Sequence, residues 1–323
     1  MTFKPLPLAK SYRITFTPDG NRLVVVGQRV AVWNLQTRKR QGSYRPFAHP
    51  SHVDMAPSGR HCVVKSTSGE LCVMTLDHPP TMTRLPHRLG EGAEALFTAG
   101  EDALVDGGWG GGFVVWDIAT GEMRHGWKVE GAMITTIVCD GPRERFFYHR
   151  QPMHDGRSTP VPTEALVLRR WPFADHPEER LLVHDWDHGA TPAFSPDGRL
   201  LGVAGRSYLL VLDVETGEER VSRALDPSVS CSHALAWSPD GTQIACIEGH
   251  QVSFFDAATL ARRARHVLDF ASDVAFSPDG RLVALGAWSN GVVMAVDDLE
   301  PWSEAGDVAR MHFDNGDPDV AAS

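Results

Sequence analysis

The densest group of metal-ligating side chains in the chain is His184, Asp185, Asp187 and His188 in HDWDH. On a strand, positions 184 and 188 share a face but stand ~13 Å apart at ~3.3 Å per residue, too far to chelate one ion. A structural role in a connecting segment is expected there, and no metal. DNGDPD at 314–319 opens like a calcium loop but lacks the glutamate at the spacing that completes one. The five cysteines, Cys62, Cys72, Cys139, Cys231 and Cys246, are odd in number, irregularly spaced and without a CxxC pair. Neither a disulfide framework nor a zinc ribbon fits them. There is no nucleophile elbow, no HExxH and no phosphate-binding glycine loop; GGWGGG at 107–112 has neither the lysine nor the helix of one. Catalysis is not indicated, and no cofactor is expected.

Other side chains suit recognition. Trp109 lies in GGWGGG, Arg206 and Tyr208 in GRSYL, His250 in EGHQ and Trp288 in AWSNG, each in a short polar or glycine-flanked stretch between apolar runs. Tryptophan, tyrosine and arginine are common anchors of protein interfaces. The alternative is that each ring folds over a rim or lines a channel. Which holds depends on the elements that carry them.

Those elements repeat. AFSPDGRL occurs at 193–200 and again, unchanged, at 275–282, and a third copy, AWSPDGTQ, starts at 236. In each, an apolar pair ends a strand and Ser-Pro-Asp-Gly turns the chain: proline presets φ, aspartate tolerates the third position, and glycine takes the left-handed conformation. Worn copies stand at 15 (TFTPDGNRL), 54 (DMAPSGRHC), 96 (LFTAGEDAL) and 137 (IVCDGPRERFF). The prolines Pro18 and Pro57 are 39 apart, Pro196 and Pro239 are 43, and Pro239 and Pro278 are 39. A period of ~40–45 residues is that of a four-stranded propeller blade.

A second motif follows each hairpin: VAVWNLQTRK at 30, FVVWDIATGE at 113, LLVLDVETGE at 209 and VSFFDAATLA at 252. Asn34, Asp117, Asp213 and Asp256 are placed to bond backbone N–H groups of the next turn, where Gly121 and Gly217 supply positive φ. Together the two motifs resemble the WD-repeat (WD40-like) family, across roughly residues 2–300. The resemblance implies a β-propeller and an interaction module. The chain departs from the family pattern: the Gly-His dipeptide is missing from its usual place, with His49 the nearest stand-in, and so is the aspartate between the second and third strands. Packing among Trp33, Trp116, Trp237, Phe194 and Phe276 is therefore expected to take over from an Asp-His network.

The hairpins centre on residues 18, 57, 99, 141, 196, 239 and 278, which makes seven blades. The expectation is an all-β, seven-bladed β-propeller of four-stranded antiparallel blades over 1–302. Its ring is closed by the N-terminal segment TFKPLPLA as the outer strand of the last blade; VARMHF at 308–313 is the alternative donor. With strands named a to d from the axis outward, the b–c and d–a loops share one face. Trp109, Arg206, Tyr208, His250 and Trp288 all fall in or beside b–c loops, and residues 151–163 insert into the b–c loop of blade 4.

The net charge of −10 argues against a general nucleic-acid or anionic-membrane binder. Residues 297–323 hold eight acids and one base, and 303–323 is expected to be an acidic, solvated tail. The arginine clusters at 37–40, 169–170 and 261–265 are expected as surface charge at strand ends. MTFKPLPLAK lacks the apolar run of a signal peptide, which suggests a cytoplasmic protein. Arginine outnumbers lysine 26 to 5, a bias expected of a GC-rich, bacterial genome. The functional expectation is a non-catalytic scaffold or adaptor, monomeric outside its complex, that docks a protein or peptide on the b–c/d–a face. The alternative is a propeller enzyme or a small-ligand or peptide sensor with its site at the channel mouth.

Overall fold

In the computed structural model, the repeated octapeptide closes its hairpin through the same three bonds each time. Ser195 Oγ donates to Asp197 Oδ1 at 2.6 Å, Leu200 N donates to Ser195 Oγ, and Gly198 N returns to Ser195 O. Ser238/Asp240 and Ser277/Asp279 repeat the first bond, also at 2.6 Å. The turn glycines Gly20, Gly59, Gly198, Gly241 and Gly280 all have φ between 68° and 72°, the left-handed region that disfavours a Cβ. The turns also pack on one another around the ring. The glycine of one blade faces the proline of the blade before it: Gly20 with Pro278, Gly59 with Pro18, Gly241 with Pro196 and Gly280 with Pro239.

The structure describes residues 3–86, 89–90, 92–153, 163–182, 190–226 and 234–303. They form seven antiparallel sheets over residues 13–44, 50–84, 95–128, 132–182, 191–224, 235–267 and 271–295, blades 1 to 7. The last takes Leu6–Pro7 as its outer strand, with Leu6 opposite Val293 and Pro7 opposite Val292. Ring closure by the N-terminal segment is thus as expected, and it covers a sheet edge that would otherwise stand open. Each inner strand contacts the inner strands of both neighbours, so the ring is complete.

Between blades lie seven apolar clusters, one per interface. Trp116 is buried between blades 2 and 3. Trp237, between blades 5 and 6, donates its indole N–H to Ala193 O at 3.0 Å. Trp33, Phe194 and Phe276 are half-buried and pack against these clusters from the side. The second motif acts as its residue types require. Thr37 N, Thr120 N, Thr216 N and Thr259 N donate to Asn34, Asp117, Asp213 and Asp256 at 2.7 to 2.9 Å. Gly121 and Gly217 have φ of 71° and 75°.

Three features differ from the expectation. Blade 6 has a fifth strand: after blade 7 the chain returns as Glu300–Pro301 to pair with Arg262–Val267, Arg265 opposite Glu300. Two of the three arginines at 261–265 are therefore covered rather than solvated, while Arg263 stays exposed. Arg265 is buried and holds Glu300 at 3.0 Å, Arg262 binds the buried Glu248, and Trp302 lies over both guanidinium groups at 4.8 and 5.3 Å. Arg169 is likewise buried, its guanidinium 4.8 Å from the Trp127 ring and 5.0 Å from that of Phe173. The aromatic faces attract the cation and its stem fills apolar space. The four described cysteines are free thiols. HDWDH, the candidate strand at 308–313, DNGDPD, Cys231 and residues 154–162 of the blade 4 loop lie outside the described residues. No described helix is long and apolar enough to cross a membrane.

Candidate functional site at the channel mouth

The strand order puts the b–c and d–a loops on one face, and a cleft of about 770 Å³ opens there over blades 7, 1 and 2. Its walls come from the d–a segments at Tyr12–Arg13 and Arg45–His52 and from b–c loops carrying Gly27–Arg29, Thr67 and Trp288. Trp288 is 51% exposed, and its ring lies against Tyr12 with centroids 4.4 Å apart and the planes tilted by 36°. Its backbone N–H donates to Phe270 O, and Phe270 is itself exposed.

Beneath the cleft runs the axial channel, a space of about 460 Å³. Seven of its lining positions are equivalent: Arg13, His52, Glu94, Thr136, Thr191, Ala234 and Asp273 each stand five residues before the centre of their hairpin turn. All the charge lies on the arc from blade 7 to blade 3, with Thr136, Thr191 and Ala234 opposite. The carboxylates bind backbone of the next inner strand. Asp273 Oδ2 accepts from Ile14 N at 2.8 Å, and Glu94 Oε2 accepts from Ile137 N at 2.8 Å and from Thr136 Oγ1 at 3.0 Å. One layer down, Asp54 Oδ2 accepts from Phe97 N at 2.8 Å. Acidic side chains thus join neighbouring inner strands that share no ladder of their own.

Arg13 lies between Glu94 and Asp273, at 3.8 and 3.9 Å, and donates to Ser272 O. Burial pushes Asp273 up to about 6, against the opposing pull of Arg13 and the Ile14 N–H. Desolvation pushes His52 down to about 4, and it stays neutral at pH 7 with Ser51 Oγ 2.9 Å from its Nδ1. At the far end, Arg143 from the a–b turn of blade 4 crosses to Asp54 and bonds Met55 O and Phe97 O. The cleft shares Arg13 and His52 with the channel, so the b–c face is the side on which the two meet.

Of the residues singled out from sequence, Trp288 lines the cleft and the other four stand elsewhere around the same face. Trp109 is 41% exposed at the tip of the blade 3 b–c loop. Gly92 packs on that loop so closely that a Cβ would stand 2.4 Å from Trp109 N. Arg206 is exposed on blade 5. Tyr208 is turned inward: it is half-buried against the cluster between blades 4 and 5, and its ring lies over Gly205. His250, on blade 6, faces Asp269 at 3.2 Å. Sequence reasoning missed Tyr12, Arg29, Arg45 and the channel layer. The layer was within reach: counting back five residues from each turn retrieves all seven positions. Among the described residues, no group of three His, Cys, Asp or Glu could hold a metal ion.

The architecture is that of a seven-bladed β-propeller. Among solved structures, the chain is similar to the hydrazine synthase of Kuenenia stuttgartiensis, with a TM-score of 0.73 and 15% identity over 90% of this chain and 97% of that one. At that identity the likeness shows the fold alone. Neither a protein-family model nor a curated protein sequence matches the chain.

Proposed function

We propose that the protein is a non-catalytic interaction module, a divergent WD-repeat propeller that docks a protein or peptide on its b–c/d–a face. The observation that carries this reading is Trp288, half-exposed on Tyr12 at the lip of a 770 Å³ cleft, with the exposed Trp109 on the same face. Large aromatic rings left in water on loops of a rigid scaffold are the usual anchors of an interface. Arg206 and His250 complete the proposed docking face, with Tyr208 packed beneath it. The partner is a protein rather than a nucleic acid, and the setting is cytoplasmic, where the free thiols suit a reducing environment.

A second reading, a small-ligand site at the channel mouth, draws on the convergence of Arg13, His52, Glu94 and Asp273. Against an enzyme stands the structural use of those carboxylates: each spends an oxygen on the backbone of the next blade and so serves as a tie in the ring. The chemistry in the name of the structurally similar hydrazine synthase is not carried over, because a shared fold does not imply a shared function.

The test is a pull-down from the native host, with wild type beside a Trp109→Ala/Trp288→Ala variant whose fold is checked by circular dichroism. A partner kept by wild type and lost by the variant supports the face. A partner kept by both refutes the face, and none in either refutes the module.

A further inference from the structure

A second cleft, of about 510 Å³, adjoins the first on the same side of the ring and shares Gln28 and Arg29 with it. It is floored by Leu8, Val25 and Trp33 and bordered by Lys10 and Arg40. The two form one groove that runs from the channel mouth, across the b–c loop of blade 1, to the outer strand of that blade. Five cations line it: Lys10, Arg13, Arg29, Arg40 and Arg45. Not one carboxylate appears among the residues that line either cleft. In a chain with net charge −10 this sorting of charge is local and one-sided.

Arg13 is engaged by Glu94 and Asp273, but Arg29 and Arg45 are available. Arg29 is pinned by Ser43, Nε to the hydroxyl at 3.0 Å and Nη2 to the carbonyl at 3.0 Å, which holds the guanidinium in place with Nη1 left over. Arg45 is exposed and has no ion-pair partner among the described residues. Tyr12 and Trp288 supply an aromatic wall beside them.

We infer that this groove binds an extended acidic segment of a partner protein, its carboxylates meeting Arg29 and Arg45 and an apolar or aromatic side chain resting on Trp288. This rests on the interaction reading above and names the chemistry of the partner. Preorganised guanidinium groups favour carboxylates through paired, charge-assisted hydrogen bonds. A long polyanion such as a nucleic acid fits less well. The groove covers one sector of the ring, and a net-acidic protein repels the rest of an extended phosphate backbone.

The full-length protein is titrated against a short fluorescein-labelled peptide of alternating glutamate and serine, its glutamine counterpart, and an oligothymidylate of equal charge, read by anisotropy. The glutamate peptide should bind at least about tenfold tighter than the glutamine peptide, and its affinity should fall as salt rises. An Arg29→Gln/Arg45→Gln variant should lose about tenfold or more, whereas Arg199→Gln, at an exposed arginine of an a–b turn on the opposite face, should change nothing. Both arginines are exposed, so that variant keeps the fold. Equal binding of the two peptides, full affinity in the arginine variant, or tighter binding of the oligonucleotide would each overturn the inference. A chain truncated after Ser303 that binds the peptide far more tightly would assign the groove to the chain's own acidic segment and overturn an outside partner. Failure here leaves the docking face standing, because that face is judged by the tryptophan variant and a protein partner.

Discussion

Arg143 of blade 4 reaches past blade 3 to Asp54 of blade 2, with Nη1 and Nη2 at 2.8 and 2.9 Å from its two carboxylate oxygens. The left-handed φ of 58° at Arg143 aims the side chain across the channel. Asp54 also holds Phe97 N, so one carboxylate ties three blades together. Both side chains are largely buried, at 13% and 15% exposed. Arg143→Met should cost about 3 kcal/mol in denaturant unfolding, because it leaves Asp54 charged and half-satisfied. A loss below about 1 kcal/mol would mean that the crossing contributes no more than a surface pair.

Lys65 and Asp106 form a second pair, at 1% and 0% exposure, between the b strands of blades 2 and 3. Lys65 Nζ stands 2.7 Å from Asp106 Oδ1 and also donates to Ala93 O and Gly107 O. Lys65→Met alone should destabilise by about 3–5 kcal/mol, since it strands a buried carboxylate. Lys65→Met with Asp106→Leu should recover much of that loss. A double mutant no better than the single one would place the cost in packing rather than in charge.

His149 is fully buried, with Thr135 Oγ1 2.7 Å from Nδ1 and Glu164 Oε1 3.0 Å from Nε2. Burial pushes it down to about 4. The folded chain thus binds fewer protons than the unfolded one between pH 4 and the ordinary histidine value near ~6.5. Stability is fully present above that window and is lost as pH falls through it, on the order of 3 kcal/mol for this group. His52 acts in the same sense. The slope of stability against pH, measured by urea unfolding, should shrink in His149→Gln; an unchanged slope would show that His149 is protonated in the fold.

Leu6 and Leu8 are buried at the interface between blades 7 and 1, and Arg38 of blade 1 donates to Pro5 O at 3.0 Å. Removing residues 1–9 should expose the edge of Val292–Ala295 and the apolar surface beside it. The truncated chain should melt at lower temperature and self-associate through that edge, which light scattering after size exclusion would reveal. A monomer of unchanged melting temperature would show that ring closure adds nothing.

Local chemistry wrote much of this molecule into its sequence. The turn of Ser195-Pro196-Asp197-Gly198, the polar cap at Asp117 and the period between turns each depend on residues within a few positions of one another. Blade number, strand order and closure by Leu6–Pro7 follow from them. Tyr208, by contrast, has the same type and loop position that mark an anchor, and only packing against blade 4 turned it inward. Arg265 and Arg169 read as surface charge until Trp302, Trp127 and Phe173, brought in from other segments, covered them. The groove around Arg29 was illegible for the same reason: Lys10, Arg29, Arg40 and Arg45 lie on three loops and a strand, and no spacing in the chain says that the space between them holds no carboxylate. Turn and strand are short-range facts, and the sequence carries them residue by residue. Which side chains share a space is settled only when the ring closes and sets blade against blade.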